Sequence, residues 1–144
     1  MENARSAALR LVLTKKRTEK EVSDALQKKG FSRNEAEESA AYYREKGYID
    51  HADYARRFTR DAANLKGFGP HRIARALAEK GIENEYIEEA LSQIEFDLTH
   101  AMEDRFGNGS RTEKELAKIY GYYMRKGFAS SAIRSAMDAL YTYA

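Results

Sequence analysis

The stretch Gly69-Pro70-His71-Arg72-Ile73-Ala74-Arg75-Ala76-Leu77-Ala78-Glu79-Lys80-Gly81-Ile82 reads as one short helix with its start and stop written in. Proline at the first helical position has no N–H to lose there, and its fixed φ already suits the helix. Ile73 and Leu77, four residues apart, lie on one side and form an apolar stripe. Gly81 then supplies the left-handed residue that ends a helix, and Ile82 can fold back onto the last turn.

The same ending occurs at Lys29-Gly30-Phe31 and at Lys126-Gly127-Phe128, so the chain is a repeat. Eight residues before each glycine stand Val22, Ile73 and Ile119, and four before stand Leu26, Leu77 and Tyr123. Six residues after come Ala36, Ile87 and Ile133, ten after Ala40, Leu91 and Met137, thirteen after Tyr43, Ile94 and Leu140. Those steps keep one face apolar, so a second amphipathic helix follows each glycine. Capping boxes open three of the helices, at Thr18-Glu19-Lys20-Glu21, Thr112-Glu113-Lys114-Glu115 and Ser32-Arg33-Asn34-Glu35, while Glu83, Asn84 and Ser130 are less regular caps.

Upstream of each pair there is room for one more helix, at Ala4 to Leu13, Ala52 to Leu65 (stripe Ala55, Phe58, Ala62, Leu65) and Phe96 to Phe106. The expected fold is all-α, with three tandem three-helix repeats stacked into an elongated, curved chain and spanning residues 1–49, 50–94 and 95–144. Gly107-Asn108-Gly109-Ser110 is expected to be a turn, and no alternating pattern suggests a strand. Units of this size bury little surface alone, so stacking on neighbours should matter.

Composition narrows the function. With 42% hydrophobic and 33% charged residues in 144, a large buried catalytic cavity is not expected. Without cysteine there is no disulfide, thiolate nucleophile or thiolate metal site, which fits the cytoplasm. Arg10 breaks the apolar run of the first helix and no small-residue cleavage site follows, so that segment is read as part of the fold rather than a leader. No run of about 18 apolar residues suits a membrane span. His51, His71 and His100 share no helical turn, so no metal site or cofactor is expected and all three are placed on the surface. Adjacent acids such as Glu37-Glu38 and Glu88-Glu89 lack the apolar pocket that general acid–base work needs, and the expectation is no enzyme and no small-molecule substrate.

Charge is the feature left over. The net +2 conceals a centre, residues 51–82, of net +4, followed by residues 83–105 of net −7. Arg56 and Arg60 lie one turn apart with Arg57 beside them. Across the loop carrying Lys66, Arg72 and Arg75 lie three apart, and Lys80 closes their helix. Two helices can thus present one cationic strip, suited to phosphates or to a partner's carboxylates. Most tyrosines suit core duty, Tyr43 and Tyr123 above all, whereas Tyr48 and Tyr54 flank the basic helix and are interface candidates.

The run from Gly47-Tyr48-Ile49-Asp50 through Asp53-Tyr54-Ala55-Arg56-Arg57-Phe58, followed by Lys66-Gly67-Phe68-Gly69-Pro70 and the helix to Lys80-Gly81-Ile82, resembles the RecX family of recombination regulators. The resemblance covers nearly the whole chain, with its detailed motifs in the central repeat. It implies a protein that binds the RecA recombinase, lodges in the groove of the RecA filament on single-stranded DNA, and restrains it without catalysis. Strand exchange, ATP hydrolysis and RecA-stimulated repressor cleavage would be dampened. On that resemblance the partner surface comprises Tyr54, Arg56, Arg57, Arg60, Lys66, Arg72, Arg75 and Lys80. The other reading of short helices with clustered arginines is a freestanding helical DNA-binding protein.

Overall fold

Each of the three lysine-glycine joints ends a helix in the same way in the computed structural model, which describes residues 2–144. Gly30, Gly81 and Gly127 have φ of +102°, +86° and +98°. The next residue's N–H returns to the carbonyl five residues before the glycine's successor: Phe31 to Leu26, Ile82 to Leu77, Phe128 to Tyr123, at 3.1–3.2 Å. That bond, with the apolar contact beside it, is the Schellman arrangement expected from the triplets.

Nine helices result among the described residues: α1 (Ala4–Thr14), α2 (Glu19–Lys28), α3 (Arg33–Glu45), α4 (His51–Lys66), α5 (Pro70–Glu79), α6 (Asn84–Ser92), α7 (Leu98–Phe106), α8 (Glu113–Lys126) and α9 (Ser130–Leu140). Both threonine capping boxes and the serine one form. Glu83 precedes α6 but makes no side-chain cap bond, because its carboxylate is engaged elsewhere.

Substantial helix packing is confined to α1–α3, α4–α6 and α7–α9, so the chain is three tandem units with three separate cores. The aligned positions supply them. Val22, Leu26 and Ala36 are buried in the first, Ile73, Leu77 and Ile87 in the second, Ile119, Tyr123 and Ile133 in the third. Each fully buried aliphatic side chain contributes roughly 1.5–3 kcal/mol, so every unit holds its own stabilising centre. Leu65 departs from the expected stripe: it is 80% exposed, and Thr59 is buried instead.

A strand pair adds to the helices. β1 (Gly109–Arg111) runs parallel to β2 (Tyr141–Tyr143), with Gly109 opposite Tyr141 and Arg111 opposite Tyr143. The segment expected to be a turn is therefore half strand. A three-residue ladder is too short to leave an alternating pattern, and its partner lies some thirty residues away in sequence.

Candidate functional site

Because the cores are separate, the units meet through narrow joints, and both joints are built on the start of one unit's second helix and the glycine end of the next unit's. At the first, the Thr18 hydroxyl caps α2 and donates to Lys80 O at 2.7 Å. His51 Nε2 accepts the Glu19 N–H at 2.9 Å, and its Nδ1 lies 2.6 Å from Glu83 Oε1. The geometry places the ring proton on Nδ1. Arg44 ties Glu19 to Glu83 at 3.0 and 2.6 Å. His51 is only 3% exposed, which corrects its surface assignment: a polar stretch at a helix start gave no sign that the ring would cap another helix.

The first joint also has an acid-sensitive member. Burial by itself would raise the Glu83 carboxyl, but the hydrogen bonds from His51 and Arg44 outweigh it and hold the group down at about 2. A carboxyl depressed in the fold contributes stability above its ordinary value of 4.5, and that contribution is lost as pH falls towards 2. The stability advantage of the native protein over Glu83→Gln, read by denaturant unfolding, is expected at neutral pH and should shrink across that window. An advantage that stays constant from pH 6 to pH 2.5 would show that the carboxylate is not bearing on the joint.

Two candidate residues belong to this first joint. Tyr54 is half-buried and stacks with Phe58, and Lys80 Nζ lies 3.5 Å from Glu21 and 5.7 Å from the Phe58 ring. Burial opposes the Lys80 charge, yet Tyr54 and Glu21 together raise its pKa. Both side chains are partly exposed and make contacts within the chain.

At the second joint, backbone meets backbone. Gly69 N–H donates to Lys126 O at 2.7 Å and His71 N–H to Gly127 O at 2.9 Å. Unpaired donors at the start of α5 thereby satisfy unpaired acceptors at the end of α8, with the helix dipoles aligned favourably. Lys126 Nζ adds a bond to Lys66 O at 3.0 Å, and Arg72 Nη1 one to Arg125 O at 3.1 Å. Glycine is required on both sides. A Cβ on Gly69 would lie 2.6 Å from Gly127 O, and one on Gly127 would lie 2.6 Å from the Arg72 nitrogen.

This second joint gathers cations on aromatic rings. The Arg72 guanidinium sits 3.8 Å over Phe68, Lys126 Nζ lies 5.4 Å from Phe68 and 5.5 Å from Tyr122, and Arg105 covers Tyr122 at 4.6 Å. Ring faces hold the cations in place without neutralising them. Among the described residues, Lys66, Arg72, Arg75, Arg105, Arg125 and Lys126 have no carboxylate oxygen within 4 Å. By contrast Arg56 pairs with Glu89 (3.5 Å), Arg57 with Asp53 (2.8 Å) and Arg60 with Asp61 (3.5 Å).

The expected single strip is therefore divided. Arg56, Arg57 and Arg60 line a shallow groove of about 340 Å³ against α6. Arg72 and Arg75 line another of about 440 Å³ with Arg125, where Glu79 is the one acid. Lys66, Arg105 and Lys126 open onto a third of about 700 Å³, where Glu95, Asp97 and Asp104 offset them. The most positive face is thus Arg72, Arg75 and Arg125, none of which has a carboxylate oxygen within 4 Å among the described residues. Sequence reasoning missed Arg105, Arg125 and Lys126 because they lie in another unit, although Arg125 and Lys126 directly precede the aligned Gly127. The grooves are open and polar, and the described residues hold no cluster of three or more metal-binding side chains. Among the described residues no helix is long and apolar enough to cross a membrane.

Comparison with known proteins agrees with the architecture. Residues 4–42 match the model of the first three-helix domain of RecX and residues 50–91 that of the second. The regulatory protein RecX of Halorhodospira halophila is 31% identical over 143 residues, 96% of this chain and 88% of that one. Its counterpart in Clostridium botulinum (strain Alaska E43 / Type E3) is 30% identical over 92% of this chain, which spans 66% of that relative's length. The crystal structure of RecX from Lactobacillus salivarius superposes with a TM-score of 0.73 at 23% identity, covering 95% of this chain and 96% of that one. A second solved structure, of regulatory protein RecX, gives 0.77 at 25% identity, over 94% and 70% of the two chains.

Proposed function

Because this chain belongs to the RecX family of regulatory proteins, we propose that it is a non-enzymatic regulator of homologous recombination that binds RecA and RecA filaments on single-stranded DNA and restrains their activities. The observation that carries the reading is the second joint: Arg72, Arg75 and Arg125 line one open groove there, and among the described residues none of the three has a carboxylate oxygen within 4 Å. Such a group attracts a polyanion, either DNA phosphates exposed in a filament or an acidic filament surface. Three tandem units can touch more than one filament subunit, so several weak contacts gain from effective concentration and no deep pocket is needed. The acidic segment from Glu83 to Asp104 argues against tight binding to DNA alone.

Co-sedimentation separates this from a freestanding DNA-binding role. The protein is expected to pellet with RecA-coated single-stranded DNA and to bind the same DNA far more weakly without RecA. Equal, salt-dependent binding to bare DNA, lost on Arg72→Ala/Arg75→Ala, would favour the freestanding reading instead.

A further inference from the structure

Arg17-Thr18-Glu19-Lys20-Glu21 and Arg111-Thr112-Glu113-Lys114-Glu115 are the same five residues in the same place, the start of their unit's second helix. Both copies fold alike. Each threonine closes a capping box, and each arginine reaches back to the end of the preceding helix, Arg17 to Leu11 O at 3.0 Å and Arg111 to Phe106 O at 2.7 Å. Their surroundings differ. The first copy is docked on the next unit's glycine end: Thr18 Oγ1 on Lys80 O (2.7 Å), Lys20 Nζ on Glu79 O (3.3 Å), Glu21 against Lys80 Nζ (3.5 Å), with Lys20 Cβ 2.9 Å from where a Cβ on Gly81 would be. Thr18 is wholly buried there, whereas Thr112, Glu113, Lys114 and Glu115 are all exposed.

The complementary surface is also vacant once. Gly81 and Gly127 are each covered by the preceding unit, but none of the described residues lies within 4 Å of a Cβ placed on Gly30. Lys28, Lys29 and Gly30 are exposed, and among the described residues neither lysine has a carboxylate within 4 Å. Lys29-Gly30-Phe31 ends its helix with the backbone geometry of Lys80-Gly81-Ile82. The chain thus carries an unused copy of the docking segment on unit three and an unused copy of its receptor on unit one.

We infer that the exposed Thr112–Glu115 segment docks on the Lys29–Gly30 helix end of a second copy of this chain, continuing between molecules the joint used within one. Thr112 would cap onto Lys29 O, Lys114 would cover Gly30, and Glu115 would pair with Lys29. The contact is heterologous, so copies add head to tail instead of closing in pairs. Its affinity is modest. The first joint has additional support from His51, Glu83 and Arg44, which nothing near Gly30 supplies, and a short linker gives it an effective concentration on the order of millimolar.

Sedimentation equilibrium up to about 1 mM, the same scale, tests this. The average mass of the native protein is expected to rise with concentration. Lys29→Glu and Glu115→Lys alone should each weaken association at least about tenfold, a loss of roughly 1.4 kcal/mol, since like charges then meet. An equimolar mixture of the two, or the double variant, should restore it. In the native protein the amide resonances of Gly30 and Glu113 should both move with concentration, a readout independent of how the variants fold. A native protein that remains monomeric with static amides overturns the inference, and so does association that the charge reversals leave unchanged.

Discussion

Gly69→Ala is expected to open the junction between the second and third units while leaving the helices intact. Gly69 has φ of −85° and ψ of 172°, a conformation open to any residue, so the substitution carries no backbone strain. What it adds is a methyl group 2.6 Å from Gly127 O, 2.7 Å from its carbon and 2.8 Å from Phe128 Cδ2. The first two are backbone and cannot rotate away. The loss is about 1–3 kcal/mol for overpacking plus about 1 kcal/mol for each of the two bonds it displaces. Amide exchange at Gly69 and His71 should accelerate accordingly, and helix content by circular dichroism should be kept because the cores are separate. Gly30→Ala is the control: its φ of +102° makes a side chain cost about 1–2 kcal/mol in strain, but nothing nearby is displaced. If the two substitutions gave the same exchange profile, the close backbone approach would not be what holds the joint.

Removing the unopposed cations has the largest expected effect on binding. The triple change of Arg72, Arg75 and Arg125 to alanine should lower affinity for the RecA–single-stranded DNA filament by at least about tenfold. Where these groups neutralise phosphates, it should also flatten the salt dependence by up to about one unit per cation. The matching triple change of Arg56, Arg57 and Arg60 should alter affinity by less than about threefold. Those arginines already have carboxylate partners, and exposed pairs of that kind are worth little in either direction. Filament binding measured by fluorescence anisotropy at several salt concentrations distinguishes the two sets. A larger loss from the α4 arginines would move the site to the groove against α6.

The contrast between those two sets marks where sequence stopped being informative. Helix ends are local events, so Gly30, Gly81 and Gly127 with their flanking apolar residues were readable as joints, and the aligned stripe positions went to the cores. Joints between units are not local. The Thr18 bond to Lys80 O and the Gly69 bond to Lys126 O each link residues about sixty apart, and no spacing along one helix encodes them. For the same reason charge clustering pointed to Arg56, Arg57 and Arg60, neighbours in sequence, without showing that Glu89 and Asp53 would pair with two of them. Arg125 and Lys126 lie in the last turn of α8, and only the placement of α8 against α5 brings them to Arg72 and Lys66. His51 was misjudged because only the fold shows a ring nitrogen facing the Glu19 amide. Lys80, the residue that first seemed to close a binding strip, is half-buried and turned towards Glu21 and Phe58.

Joining the units through narrow junctions has a physical consequence. Three small cores connected by hydrogen-bonded joints can adjust their relative angles at less cost than a continuous core could, because few apolar contacts are disturbed. If the proposed filament binding holds, such compliance lets the units follow a helical surface while each retains its own fold. The second joint combines both demands: backbone bonds fix Gly69 against Lys126 and Gly127, and the same backbone positions Arg72, Arg75 and Arg125 on the outside.

ATP hydrolysis by RecA on single-stranded DNA, followed while this protein is titrated in, tests the central claim most directly. Suppression is expected at fewer than one copy per RecA monomer, and the Arg72, Arg75 and Arg125 triple variant should require at least about tenfold more protein for the same effect. Hydrolysis unchanged over the whole titration, with no protein retained on the filaments, would contradict the account.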